Sequence, residues 1–128
     1  MKQLTFTLAL ILTLTQIFAQ TTLVVNDETD INNGESPFAT IAAALEVAQK
    51  GDIIKITGGT DKIHTELGID VTKGVTFKGE GQHTTIVQAH AQRGEATDSI
   101  FYIKTTTPVN FQDMTLQHGN VVSKRGGA

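Results

Sequence analysis

The sequence of 128 residues contains no cysteine, no tryptophan, two prolines and a single tyrosine. Without cysteine, the chain has no disulfide framework, no cysteine-ligated zinc or iron–sulfur site and no thiol nucleophile. It also has no excess of positive charge. Its formal charge at pH 7 is −3, which argues against a nucleic-acid partner because nucleic acid is usually bound by a basic face. With 39% hydrophobic and 18% charged residues, the composition excludes a disordered chain and fits one globular domain.

An apolar segment opens the chain. Lys2 gives a short basic start, residues 4–18 are uncharged and largely apolar, and Ala19 offers a small residue for cleavage. This layout predicts a secretory signal peptide over residues 1–19 and a mature chain over residues 20–128. The apolar run is shorter than the roughly 20 residues of a membrane-spanning helix, so we expect no membrane span in the mature part. The predicted location is extracellular or on a bacterial outer surface.

The stretch from Asn26 to Glu35 is acidic and rich in turn-forming residues, as a calcium loop would be. An EF-hand loop requires oxygen ligands at alternating positions before its glycine, and Ile31 occupies one of those positions relative to Gly34. A solvated loop is therefore the prediction for this segment.

One helix is predicted, from Ser36 to Lys50. Ser36 is a suitable N-cap and Pro37 suits the first helical position. Lys50 would complement the helix dipole in the last turn, and Gly51 would supply the left-handed residue that ends the helix. Helical spacing places four apolar residues on one stripe, facing away from Glu46 and Gln49: Phe38, Ile41, Leu45 and Ala48. Such a stripe indicates packing against a core and not a ligand site.

After Asp52 the pattern changes to short strands. From Gln20 onward, 35 of 109 residues are Thr, Val or Ile, which favour a pleated backbone. A brief strand is predicted at Gln20–Val25, and seven more at Ile53–Ile56, Ile69–Val71, Val75–Phe77, Thr85–Val87, Ile100–Ile103, Val109–Phe111 and Met114–Leu116. Strands this short suit either an antiparallel sandwich or a solenoid.

The spacing of the strands favours the solenoid. Two-residue hairpin loops are not evident, since the one Asn-Gly pair, at Asn33, precedes the helix and joins no strands. Ile54 and Val75 instead begin similar strands 21 residues apart, near the period of a solenoid coil. The next restart comes 34 residues later, at Val109, or 39 later, at Met114. An inserted loop over Ala89–Ser99 would account for the surplus.

Three stretches carry a resemblance to a known family: Ser36–Thr57 (SPFATIAAALEVAQKGDIIKIT), Val75–Val87 (VTFKGEGQHTTIV) and Phe111–Ala128 (FQDMTLQHGNVVSKRGGA). They resemble the start of a right-handed parallel β-helix of the pectin-lyase-like kind, in an exported bacterial protein. The resemblance implies an all-β solenoid with an N-terminal amphipathic capping helix, and residues 20–128 would be that cap and the first coils. It also leads us to expect a fragment of a longer protein. A complete three-coil protein with a glycine tail is the alternative.

Residues that could carry chemistry are scattered along the chain. His64, His83, His90 and His118 lack the close spacing of a zinc site and are predicted to be exposed in corners or loops. Asp70, Asp98 and Asp113 lie on or near strands but form no local pair of the kind that glycosidases use. Corner positions with positive φ are predicted for six glycines, at 58, 59, 79, 81, 126 and 127. The aromatic residues of the mature chain are predicted to be core, with the direction of Tyr102 undecided.

No catalytic, cofactor-binding or metal-ligating residue is therefore predicted, and no cofactor. The resemblance implies an exported cell-surface or secreted scaffold, adhesin-like and non-enzymatic in the part shown. Extracellular glycans or cell-surface components are its expected partners. The alternative is the N-terminal part of a polysaccharide lyase or glycoside hydrolase, because such enzymes carry their catalytic residues on middle coils, which would lie downstream of Ala128. Fold alone does not choose between the two hypotheses.

Overall fold

The computed structural model describes residues 19–26, 38–60 and 62–120. They form an all-β fold with one short helix. The elements in chain order are β1 (Thr22–Val25), α1 (Ile41–Val47), β2 (Ile53–Ile56), β3 (Ile63–Thr65), β4 (Ile69–Val71), β5 (Thr76–Lys78), β6 (Ile86–Gln88), β7 (Phe101–Ile103), β8 (Asn110–Gln112) and β9 (Thr115–Gln117). Residues 1–18 and nearly all of the predicted acidic loop, beyond Asn26, lie outside the described residues.

The strands form three sheets. The first sheet has the order β1-β2-β5-β8, the second β3-β6-β9 and the third β4-β7. Every pairing between these strands is parallel. From β2 onward, the chain visits the first, second and third sheet in that order, repeats the visit with β5, β6 and β7, and begins it again with β8 and β9.

The register corrects the predicted 21-residue interval. Ile54 lies beside Phe77 and not beside Val75, and partners in the second sheet, such as Thr65 and Gln88, are 23 residues apart. The two-residue difference leaves the same side chains facing inward, because side chains alternate along a strand. The longer interval of 34 residues is confirmed, between Thr76 and Asn110.

Inward-facing side chains of successive strands stack on one another to form the core. In the first sheet, Leu23, Ile54, Phe77 and Phe111 occupy one register row. The rings of Phe77, Phe101 and Phe111 meet with all three centroid separations at 5.0 Å. Phe77 is completely buried, and burial of such a side chain contributes about 1.5–3 kcal/mol.

The helix is shorter than predicted. It begins at Ile41, and its N-cap is Thr40, whose hydroxyl accepts a hydrogen bond from the N–H of Ala43 at 3.1 Å. The chain cannot be helical earlier because Phe38 pairs in parallel with Val25. The predicted cap, Ser36, and Pro37 lie outside the described residues.

The helix also ends early. Ala48 is extended, so Lys50 and Gly51 belong to a turn before β2 and not to the helix terminus. Gly51 does have the predicted left-handed conformation, with φ of 92°. The predicted stripe is confirmed from Ile41 onward, since Ile41, Leu45 and Ala48 are buried, and Phe38 packs against the core.

Two further differences concern β3 and the corner glycines. The strand Ile63–Thr65 was not predicted, because its single inward position carries His64 and not an apolar residue. Of the corner glycines within the described ranges, only Gly81 has the predicted positive φ. Gly79 is required for space, because a side chain there would overlap the carbonyl oxygen of Asp113. Gly126 and Gly127 lie outside the described residues.

Candidate functional site

The outer face of the third sheet carries a group of polar side chains that are distant in sequence and in contact with one another. Asp70 and Tyr102 are register partners on β4 and β7, and both point outward because Ile69 and Val71 point inward. Lys104 follows β7, and its Nζ lies 2.7 Å from a carboxylate oxygen of Asp70. We call Asp70, Asp98, Tyr102 and Lys104 the Tyr102 patch.

Tyr102 is held in place by two neighbours. Its hydroxyl donates a hydrogen bond to the carboxylate of Asp98. The Lys104 ammonium lies 5.7 Å from the centroid of the Tyr102 ring, within the range of a cation–π contact. The direction of Tyr102, undecided in the sequence, is thus outward, and its ring is exposed.

Asp98 raises the pKa of Tyr102 above 10.0, its ordinary value. The largest cause is the hydrogen bond, because the carboxylate accepts the phenolic proton, and the partial desolvation of the phenol and the negative charges of Asp98 and Asp70 add to it. The phenol therefore stays neutral at physiological pH and is not an activated nucleophile. The patch offers a flat aromatic surface beside one cation, which suits binding more than catalysis.

Asp98 also anchors the long connection between β6 and β7. Its carboxylate accepts the N–H of Ser99 at 2.8 Å, and its main-chain carbonyl accepts the N–H of Asn120 at 3.0 Å. The Asn120 side chain in turn donates to the carbonyl of Ala96 at 3.1 Å. The two bonds from Asn120 tie the predicted inserted loop to the segment that follows β9.

The structure does not gather the four histidines into one site. His64 is buried, contrary to the prediction, and its Nε2 donates to the carbonyl of Thr57 at 2.8 Å. His83 is exposed as predicted, while His90 and His118 are half-buried and joined by a hydrogen bond from His118 Nδ1 to the His90 carbonyl at 3.0 Å. Across the described ranges, no group of three or more His, Asp or Glu residues could hold a metal ion.

Among the predicted acids, the structure brings Asp70 and Asp98 into the Tyr102 patch but not Asp113. Asp113 lies at a corner with φ of 52°, and its carbonyl accepts the N–H of Gly81 at 2.9 Å. Its visible role is to shape that corner.

Sequence reasoning missed two charged residues that hold the helix. The two carboxylate oxygens of Glu66 accept the N–H groups of Ile41 and Ala42 at 2.6 and 3.1 Å. At the other helix end, Lys73 Nζ donates to the carbonyl of Ala48 at 2.6 Å. Both charges complement the helix dipole. A groove of about 530 Å³ lies between α1 and β4. Glu66 and Lys73, the two charged residues at its edges, are already hydrogen-bonded to the backbone at the two ends of the helix.

A third charged residue, Glu80, is held on the outer side of the first sheet. The N–H of Gly58 donates to its carboxylate at 2.9 Å and lowers its pKa below 4.5, with a further contribution from Lys55 at 3.3 Å. Because this pair is exposed, its contribution to stability is small. Glu80 thus ties two corners together, and we assign it no chemistry.

Comparison with known proteins gave no relative: no family model, no curated protein and no solved structure matches the chain. Within the described ranges, no helix has the length and apolar character needed to cross a membrane.

Proposed function

We propose that the protein is an exported, non-enzymatic scaffold built as a right-handed parallel β-helix. One observation carries the proposal: parallel strands revisit three sheets in a fixed order, with inward side chains stacked from one visit to the next. When each strand pairs in parallel with the strand that the chain placed in the same sheet one visit earlier, the chain as a whole follows a helical path. Right-handedness follows from the general rule for crossover connections between parallel strands.

The variation in the sequence interval between register partners supports this interpretation. Partners are 23 residues apart where β3 and β4 are joined directly, by residues 66–68. The interval grows to 32 residues, from Ile69 to Phe101, where the connection from Ala89 to Ile100 replaces that short corner. A solenoid accepts such an insertion at a corner because its ladders remain in register.

The contacts made just after the predicted cleavage point are compatible with export. Gln20 and Thr21, the first residues of the predicted mature chain, are tied to the turn before β2. The Gln20 side chain donates to the carbonyl of Gly51 at 2.8 Å, and the Thr21 N–H donates to Asp52 at 2.9 Å. Cleavage after Ala19 would therefore keep every one of these contacts.

A scaffold role fits the state of the charged groups. Asp70 is paired with Lys104, Asp98 accepts the Tyr102 hydroxyl, and Glu66 is occupied by the helix. Carboxylates engaged in this way stabilise structure and are poorly placed to act as a general acid and base. The outer faces, the Tyr102 patch among them, would be presented to extracellular glycans or cell-surface components.

The test uses the protein purified from a bacterial host that exports it. We expect a mature N-terminus at Gln20 or within two residues of it, no stoichiometric metal by elemental analysis, and no release of reducing sugars or unsaturated uronates from pectin. A product that keeps Met1 in the membrane fraction would overturn the export proposal. Degradation of pectin by this chain would overturn the scaffold proposal and favour a polysaccharide lyase or hydrolase.

A further inference from the structure

The connection from β6 to β7 projects from the surface. It contains twelve residues, Ala89 to Ile100, where the equivalent connection from β3 to β4 contains three. Its five central residues, Ala91–Glu95, are all exposed. At the tip, Gly94 has φ of 87°, and a side chain there would meet no atom within 4 Å. The backbone at Gly94 is therefore open in the direction in which a side chain would point.

The base of this loop is held by more contacts than its tip. Ala89 and Ala96 are buried, and Asn120 donates to the carbonyl of Ala96. At the tip, the bonds are few: the Gln92 N–H donates to His90 Nδ1 at 3.0 Å, and the Glu95 N–H reaches the Gln92 carbonyl at 3.4 Å. A tip held by so little can open locally without disturbing the sheets.

We propose that the Arg93–Gly94 peptide bond is a processing site for a protease that selects arginine, and that the two fragments remain associated after the cut. Hydrolysis adds one water across the C–N bond, leaving a carboxylate on Arg93 and a new amino terminus on Gly94. Exposed loop tips with small and polar residues are where proteolytic nicking concentrates. The proposal does not depend on a ligand, and export would bring the loop to proteases outside the cell.

Three of the lysines outside this loop are held in the fold. Lys50 precedes Gly51, whose N–H donates to the carbonyl of Gly74 at 2.7 Å. The Lys73 side chain is bonded to the helix end, and the Lys104 N–H donates to the carbonyl of Val71 at 2.8 Å. A protease must bind several residues in an extended form, so cutting at these lysines would require a sheet or the helix to open.

The topology explains why the two pieces would stay together. A cut at Arg93 leaves β1 to β6 in one piece and β7, β8 and β9 in the other. Each strand of the second piece pairs with a strand of the first: β7 with β4, β8 with β5 and β9 with β6. The rings of Phe101 and Phe111 also pack on Phe77 across the cut. Three ladders and a shared core therefore join the pieces.

The experiment is limited trypsin digestion of the protein from the exporting host, with cleavage sites mapped by mass spectrometry between Gln20 and Asn120. We expect the first cut after Arg93, followed by co-elution of both pieces on size exclusion in native buffer and their separation in urea. The variant Arg93→Gln should slow the first cut by about tenfold or more, while the control Lys50→Gln, which changes an exposed side chain away from the loop, should leave its rate unchanged. Circular dichroism verifies that both variants fold.

A protease that cuts after glutamate gives a second, independent measurement on the unmodified protein, because Glu95 lies in the same exposed segment. We expect Glu95 to be cut before Glu46, Glu66 and Glu80. A first tryptic cut at any lysine of the mapped region, or a cut at Glu46, Glu66 or Glu80 before the cut at Glu95, would overturn the assignment of the site. Separation of the two fragments in native buffer would overturn the claim that they remain associated after the cut.

Discussion

The two ends of the stack of strands differ in how well their inward-facing side chains are covered, although these side chains occupy equivalent register positions. At one end, α1 lies over the core with Ile41 and Leu45 buried, and Glu66 and Lys73 hold its two termini. At the other end of the described region, inward-facing residues are exposed on all three sheets: Ile103 (50%), Phe111 (37%) and Leu116 (44%).

Register partners show what causes the difference. Val71 on β4 is completely buried, while its register partner on β7, Ile103, is half-exposed. Val87 and Leu116 differ in the same way. Both members of each pair are apolar and point inward, so residue type does not decide burial here. The burial of the position depends on whether a further strand or a helix covers it.

The largest effect is expected from a charge at the covered end. Leu45→Asp would place an unpaired carboxylate under α1, and we expect it to lower the free energy of unfolding by about 3–5 kcal/mol. Glu46→Ala, one position away on the exposed face of α1, should change it by no more than about 0.5 kcal/mol. Urea unfolding followed by circular dichroism measures both. Equal midpoints for the two variants would show that the helix covers nothing of energetic consequence.

A second pair compares one residue type in the middle and at the uncovered end. Phe77→Ala should cost about 3–5 kcal/mol, because it empties a fully enclosed position. Phe111→Ala should cost roughly half as much, because part of that ring already contacts solvent and the site can relax. The same urea experiment decides. If Phe111→Ala were as costly as Phe77→Ala, the two ends would not differ energetically.

Local patterns in the sequence were sufficient to predict most strands. β2, β4 and β7 are dense in β-branched or aromatic residues, so their composition identified them. β3 was missed because His64 takes its inward position, and the helix start was misplaced because Phe38 pairs with Val25. Both errors come from contacts between distant segments, which override local preference.

The candidate site could be predicted only in part. Tyr102 and Asp98 are close in sequence, but Asp70 reaches them only through the register of β4 with β7. Glu66 and Lys73 were missed for the same reason, since each is 25 residues from its backbone partner at a helix end. No short motif encodes such pairs, because the fold supplies them. Export and the scaffold role remain predictions.

The third test concerns association and not folding. Leu116 and Leu67 are equally exposed, at 44% and 47%, but Leu116 lies at the outer edge of the second sheet beside the other uncovered residues. Unpaired strand edges with apolar neighbours promote self-association. Leu116→Lys should therefore reduce light scattering by the concentrated protein, and Leu67→Lys should not. Because Leu116 points inward and is partly buried, its replacement should cost about 1 kcal/mol of stability, against no more than about 0.5 kcal/mol for Leu67→Lys. Identical scattering from both variants would show that the uncovered end is not the cause of self-association.

The smallest effect is on the titration of Tyr102, near the uncovered end. Because the chain contains one tyrosine and no tryptophan, its ultraviolet absorbance reports the ionisation of Tyr102 alone. The raised pKa means that the folded phenol holds its proton to a higher pH than an unfolded one, so the interaction stabilises the fold below pH 10.0 and is lost as the pH rises through the folded pKa. Asp98→Asn removes the main cause and should lower the pKa clearly. Asp70→Asn removes a minor cause and should lower it less. Circular dichroism at each pH confirms that the protein is folded during the titration. Equal shifts in the two variants would mean that general negative charge, and not the hydrogen bond to Asp98, holds the proton on Tyr102.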